Sequence, residues 1–128
     1  MKYYINKTIK ESFDVAVQKV TKALKEEGFG ILTEIDVKET LKKKLDVDFR
    51  KYKILGACNP NFAYKALQVE NKIGVMLPCN VVVQELDNGK IEIFAINPVS
   101  AMQAVENKDL EYIAEQINIK LQQVIDSL

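Results

Sequence analysis

Apolar residues recur along Phe13, Val17, Val20 and Leu24 at spacings of 4, 3 and 4, the stripe of an amphipathic helix. Ser12 or Thr8 can cap its start, and Gly28 can end it, because glycine readily takes the left-handed conformation just past a helix. An opening strand is expected at Lys2–Asn6 and a second at Gly30–Ile35. Asp36 with Glu39 three residues on resembles a capping box, and Val37, Leu41 and Leu45 form the stripe of a short second helix whose other side is Lys42-Lys43-Lys44. Tyr52–Ala57 reads as a third strand. Asn59-Pro60 then opens a helix, since proline needs no N–H at the first helical position. Ile73–Leu77 reads as a further strand, followed by VVVQEL, the turn Asp87-Asn88-Gly89 and IEIFAI. The Asn-Gly pair predicts a type I′ hairpin with positive φ at both central residues. Asn97-Pro98 repeats the helix-opening pair, and a last helix over about 109–127 carries Leu110, Ile113, Ile117, Leu121 and Val124 on one face.

The order β-α-β-α-β-α-β-β-β-α, with a hairpin late in the chain, predicts an α+β fold: a two-layer sandwich of helices on a mainly antiparallel sheet. The 128 residues suit one domain spanning 1–128, with no linker, repeat or low-complexity segment. A chain of this size buries about 70% of its unfolded surface and needs no disulfide staples. At 48% apolar and 28% charged, the composition is that of a globular protein. No apolar run approaches the roughly 20 residues of a membrane helix, and the N-terminus lacks the apolar core of a secretory signal. A cytoplasmic protein with reduced thiols and no membrane partner is expected.

Charge and the absent histidines narrow the chemistry. The net charge is zero, but residues 1–64 carry 13 basic and 9 acidic side chains against 5 and 9 in residues 65–128. With Arg50 the sole arginine and acids interleaved throughout, no nucleic-acid partner is expected. There is no histidine, so Ser-His-Asp triads, Cys-His dyads and HExxH zinc sites cannot be built within the chain. No phosphate-binding glycine loop occurs; Gly28-Phe29-Gly30 reads as a helix stop. The carboxylate neighbours Glu26-Glu27 and Asp46/Asp48 read as exposed, and the lysine run as a solvated face. Catalytic residues are therefore unassigned, and the chain reads as a binding protein rather than an enzyme.

The two cysteines stand out by position. Cys58 precedes the Asn59-Pro60 helix start, where free N–H groups and the dipole favour an anion. Cys79 follows Pro78 at a strand entry, where the proline marks a bend or edge. Cys-Asn-Pro at 58–60 and Pro-Cys-Asn at 78–80 mirror each other, so the thiols can face one pocket if both loops lie at the same sheet end. The plainer alternative is that both are small buried hydrophobes. Twenty intervening residues match no CxxC signature, and two thiols are too few for a four-thiolate zinc site; no metal site is assigned, although a two-coordinate soft ion such as Cu(I) stays open.

The segments GFGILTEIDVKETLKKKL, YKILGACNP, IGVMLPCNVVVQE, the glycine hairpin and NPVSAM, in that order, resemble the bacterial and archaeal family catalogued as domain of unknown function 302. The matching positions are Gly28, Asp36, Cys58, Asn59, Pro60, Pro78, Cys79, Asn80 and Pro98. The resemblance implies a small α+β sandwich, commonly a homodimer, and no reaction or cofactor. Three readings follow. The first is a homodimeric small-molecule-binding domain with its pocket at Cys58, Asn59, Pro60, Pro78, Cys79 and Asn80. The second is a thiol-redox or soft-metal site using Cys58 and Cys79. The third is a protein-interaction module docking through the last helix's apolar face or through the +4/−4 charge contrast between the two halves of the chain.

Overall fold

In a computed structural model describing residues 2–128, five strands form one sheet. They are β1 (Tyr4–Ile9), β2 (Gly30–Asp36), β3 (Tyr52–Cys58), β4 (Cys79–Glu85) and β5 (Ile91–Ile96). Their spatial order is β1-β5-β4-β3-β2, with every neighbouring pair antiparallel. The helices are α1 (Phe13–Glu26), α2 (Val37–Leu45), α3 (Pro60–Val69), α4 (Pro98–Ala101) and α5 (Lys108–Asp126). This is the α+β architecture expected from the late hairpin. β2 to β5 form a meander. α1 carries the chain from β1 at one edge to β2 at the other.

Alternation sorts the strand residues between two faces. Leu55, Ala57, Val81, Val83, Ile91, Ile93 and Ala95 are buried against the helices, with Ala16, Val20 and Leu24 of α1 and the predicted stripe Leu110, Ile113, Ile117, Leu121 and Val124 of α5. The last helix thus spends its apolar face on its own core, and docking through that face is corrected by its burial. The opposite sheet face carries Tyr4, Tyr52, Val82, Gln84, Glu92 and Phe94.

Side-chain caps open four helices, three of them at the positions expected from the sequence, with Asn107 the unexpected fourth. Ser12 Oγ accepts from Val15 N, Asp36 Oδ1 from Glu39 N, Asn97 Oδ1 from Ser100 N, and Asn107 Oδ1 from Asp109 N and Leu110 N. Gly28 takes φ +86° beyond α1.

Four local expectations are corrected. Ile73–Met76 is a short 3-10 turn, not a strand: Gly74 lies within it and Pro78 follows closely, and only Ile73 is buried in the core while Val75 is 89% exposed. β1 begins at Tyr4 and runs to Ile9, because Ile5 and Ile9 reach the helix layer across the polar Asn6-Lys7-Thr8 stretch. The hairpin is not type I′: Asn88 keeps negative φ and only Gly89, at +80°, is left-handed. Gly89 N donates to Leu86 O and Leu86 N to Lys90 O, the three-residue form in which a type I turn is followed by a left-handed glycine. Finally, α2 fully buries none of its residues; Leu45 is exposed and the Val37/Leu41 stripe is only half covered.

Candidate functional site

Ala57 of β3 pairs with Cys79 of β4, and Cys58 is the next residue, where β3 passes into α3. The two mirrored segments therefore meet at one end of the sheet. Cys58 and Cys79, both free thiols, line one small chamber of about 20 Å³ with Met102, Phe62, Pro78 and Ile117 among its walls. That is room for about one water or one ion.

Cys79 is buried and Cys58 half-buried. Burial pushes the Cys79 thiol up to about 11, and the nearby Cys58 adds to the rise, since two negative sulfurs repel. Met102, 4% exposed at the end of α4, is a third sulfur-bearing side chain in the wall. The sequence reading missed it, although its NPVSAM segment was in view; nothing in linear spacing ties it to either cysteine.

Asn59 sits at the N-cap position of α3, with Pro60 next, but its side chain makes no capping bond. Its Nδ2 instead donates to Glu27 O at 3.4 Å, tying the start of α3 to the end of α1. The first-turn N–H groups of α3 are left without that cap and point back towards the Cys58 corner. A Cβ on Gly28 would come within 3.1 Å of Asn59 Nδ2, so Gly28 also makes room for this tie.

Pro78 joins Leu77 through a cis peptide and lies at the entry to β4. Its ring and Thr33, beside the bulge in β2, close over Gly56 of β3: a Cβ there would collide with Thr33 Oγ1 and lie 2.9 Å from Pro78 Cγ. Asn80 pairs with Gly56 but is exposed and does not line the chamber. Pro60 is likewise exposed and outside it. Of the six predicted site residues, Cys58, Asn59, Pro78 and Cys79 come together.

A family model described as domain of unknown function DUF302 matches residues 5–128. The chain belongs to the DUF302 family. The crystal structure of an uncharacterized conserved DUF302 protein from Bacillus stearothermophilus superposes with a TM-score of 0.92 at 28% identity, covering 98% of each chain. No curated protein matches. The family supplies a fold and no chemistry, so the reading of this DUF302 chain rests on its own side chains.

Outside the chamber, a cleft of about 560 Å³ lies over Gly28, Asn59, Phe62, Lys65 and Lys120. Asn59 and Phe62 line both spaces and form the wall between them. The lysine run takes no part: Lys42 pairs with Asp46 at 3.0 Å and Lys43 with Glu39 at 2.7 Å on the exposed side of α2. Among the described residues no three His, Cys, Asp or Glu side chains cluster as metal ligands, and no helix is long and apolar enough to cross a membrane.

Proposed function

We propose that this DUF302 protein binds a single soft, monovalent metal ion, of the Cu(I) class, between Cys58 and Cys79, with Met102 as a third, weaker ligand. The observation that carries this reading is that the three sulfur-bearing side chains Cys58, Cys79 and Met102 line one chamber with room for about one atom. Metabolite pockets run to about 300–1,000 Å³, so a one-atom ligand is what fits between these loops. Thiolate and thioether are soft donors that select Cu(I), and the lack of imidazole or a fourth ligand disfavours zinc.

Binding replaces two S–H bonds by two Cu–S bonds, releases two protons and leaves one net negative charge on the centre. The uncapped first turn of α3 faces that charge with N–H groups and the positive end of its dipole. Because Cys79 ionises only near 11, its proton alone costs about tenfold in apparent affinity for each pH unit below that value.

Competition against a chromogenic Cu(I) chelator under anaerobic conditions tests this. The expected result is one ion per chain, lost in Cys58→Ser and in Cys79→Ser and weakened in Met102→Leu, with affinity rising as pH rises. Binding that survives both cysteine substitutions, or no binding at all, would overturn it.

A second reading, a small polar molecule, has its room in the outer cleft beside Asn59 and Phe62, where Lys65 and Lys120 face Glu26 and Glu27. Native mass spectrometry of the purified protein would show such a ligand as added mass; its absence counts against this reading. We also propose a homodimer joined along β2, an edge strand whose Leu32 and Ile35 are 66% and 47% exposed. Light scattering giving a monomer mass at high concentration would remove the dimer.

A further inference from the structure

The sheet face away from the core helices holds a second constellation, remote in chemistry from the thiols. Arg50 Nε donates to Gln84 Oε1 at 2.8 Å, Gln84 Nε2 donates to Glu92 Oε1 at 2.7 Å, and Asn6 Nδ2 donates to Glu92 Oε2 at 2.9 Å. This chain of bonds crosses β1, β5 and β4 to Arg50, two residues before β3. Arg50 is further held by rings: its guanidinium carbon lies 4.3 Å from the Phe49 centroid and 5.7 Å from that of Tyr52.

With Nε committed and the plane stacked, the two terminal nitrogens of Arg50 make no bond to any described residue. They form a fork whose spacing matches a carboxylate. Tyr4, Phe94 and Tyr52 stand in a row beside it, with Phe94 6.3 Å from each neighbour's centroid and nearly perpendicular to it. These rings, Arg50, Gln84 and Glu92 line a hollow of about 280 Å³. Each Glu92 oxygen receives one amide N–H and has a lone pair left to accept from a ligand.

We propose that this hollow binds a small aromatic carboxylate carrying a hydroxyl or amino donor. The carboxylate meets the Arg50 fork, the ring packs among Tyr4, Phe94 and Tyr52, and the donor reaches Glu92. The volume suits a single-ring molecule and excludes a dinucleotide. Gln84 positions both charged groups, holding the cation and the acid apart so that they do not simply neutralise each other.

Amide NMR spectra of the full chain titrated with para-hydroxybenzoate test the proposal, with benzamide as the uncharged comparison. The expected result is shifts confined to residues around Arg50, Tyr52, Gln84 and Phe94, weaker binding of benzamide, and affinity reduced by about tenfold or more in Arg50→Gln. Arg50→Lys should recover part of it, as it keeps the charge and loses the fork. Arg50 is exposed, so an unchanged spectrum away from the hollow will show that Arg50→Gln still folds. No shifts at millimolar probe, equal binding of benzamide, or shifts unaffected by Arg50→Gln would overturn the site. Cys58→Ser should leave this binding unchanged, which separates it from the metal reading.

Discussion

Single residues carry most of what this fold can do chemically, and Cys79 is the clearest of them. Its thiol ordinarily ionises near 9.0 and is held neutral to about 11 by burial first and by Cys58 second. Unfolding lets it ionise at the ordinary value. The stability it protects is therefore intact below about 9 and is lost as pH rises through about 11, a difference of about 3 kcal/mol. Denaturation at a series of alkaline pH values should show a steeper fall for the natural chain than for Cys79→Ala; parallel curves would contradict the burial of this thiol. The positions of Cys58 and Cys79 at element boundaries were legible in the sequence, because Asn-Pro and Pro-Cys punctuate the chain locally. The role of Asn59 was not: cap chemistry suggested a bond to its own helix, whereas its amide reaches 32 residues back to Glu27 O. The grouping of Arg50 and Tyr52 with Gln84 and Glu92 gave no signal either, since the first pair lies more than 30 residues from the second and strand register brings Tyr52 opposite Gln84.

At the scale of elements, glycine means different things at two places. Gly89 is needed for its φ of +80°, with open space around its Cβ position, whereas Gly56 is needed for space beneath Thr33 and Pro78. Gly89→Ala should cost about 1–2 kcal/mol and Gly89→Asn less, because asparagine tolerates the left-handed region. Gly56→Ala should cost about 1–3 kcal/mol, partly recovered by Thr33→Ala, which removes the colliding hydroxyl. Thermal unfolding of the four variants checks both; a neutral Gly56→Ala would mean that Pro78 does not press on β3. Strong periodicity made α1, α5 and β5 readable. Ile73–Met76 was misread because a short apolar run has no period, and only the tertiary setting decides whether it pairs.

For the whole molecule, the late hairpin correctly pointed to helices on an antiparallel sheet, but the strand order did not follow from pattern, because β1 pairs with β5 across nearly the whole chain. That closure, with the meander, brings the ends of β3 and β4 beside α3, α4 and α5 and so assembles the three-sulfur chamber. Sequence placed two of its sulfurs in loops that the fold then joined; the third came from packing alone. The most direct test of the account is X-ray absorption at the copper edge on protein loaded with one equivalent of Cu(I). Sulfur scatterers alone in the first shell, one fewer in Met102→Leu, are the predicted result. Nitrogen or oxygen ligands, or no retained copper, would contradict it.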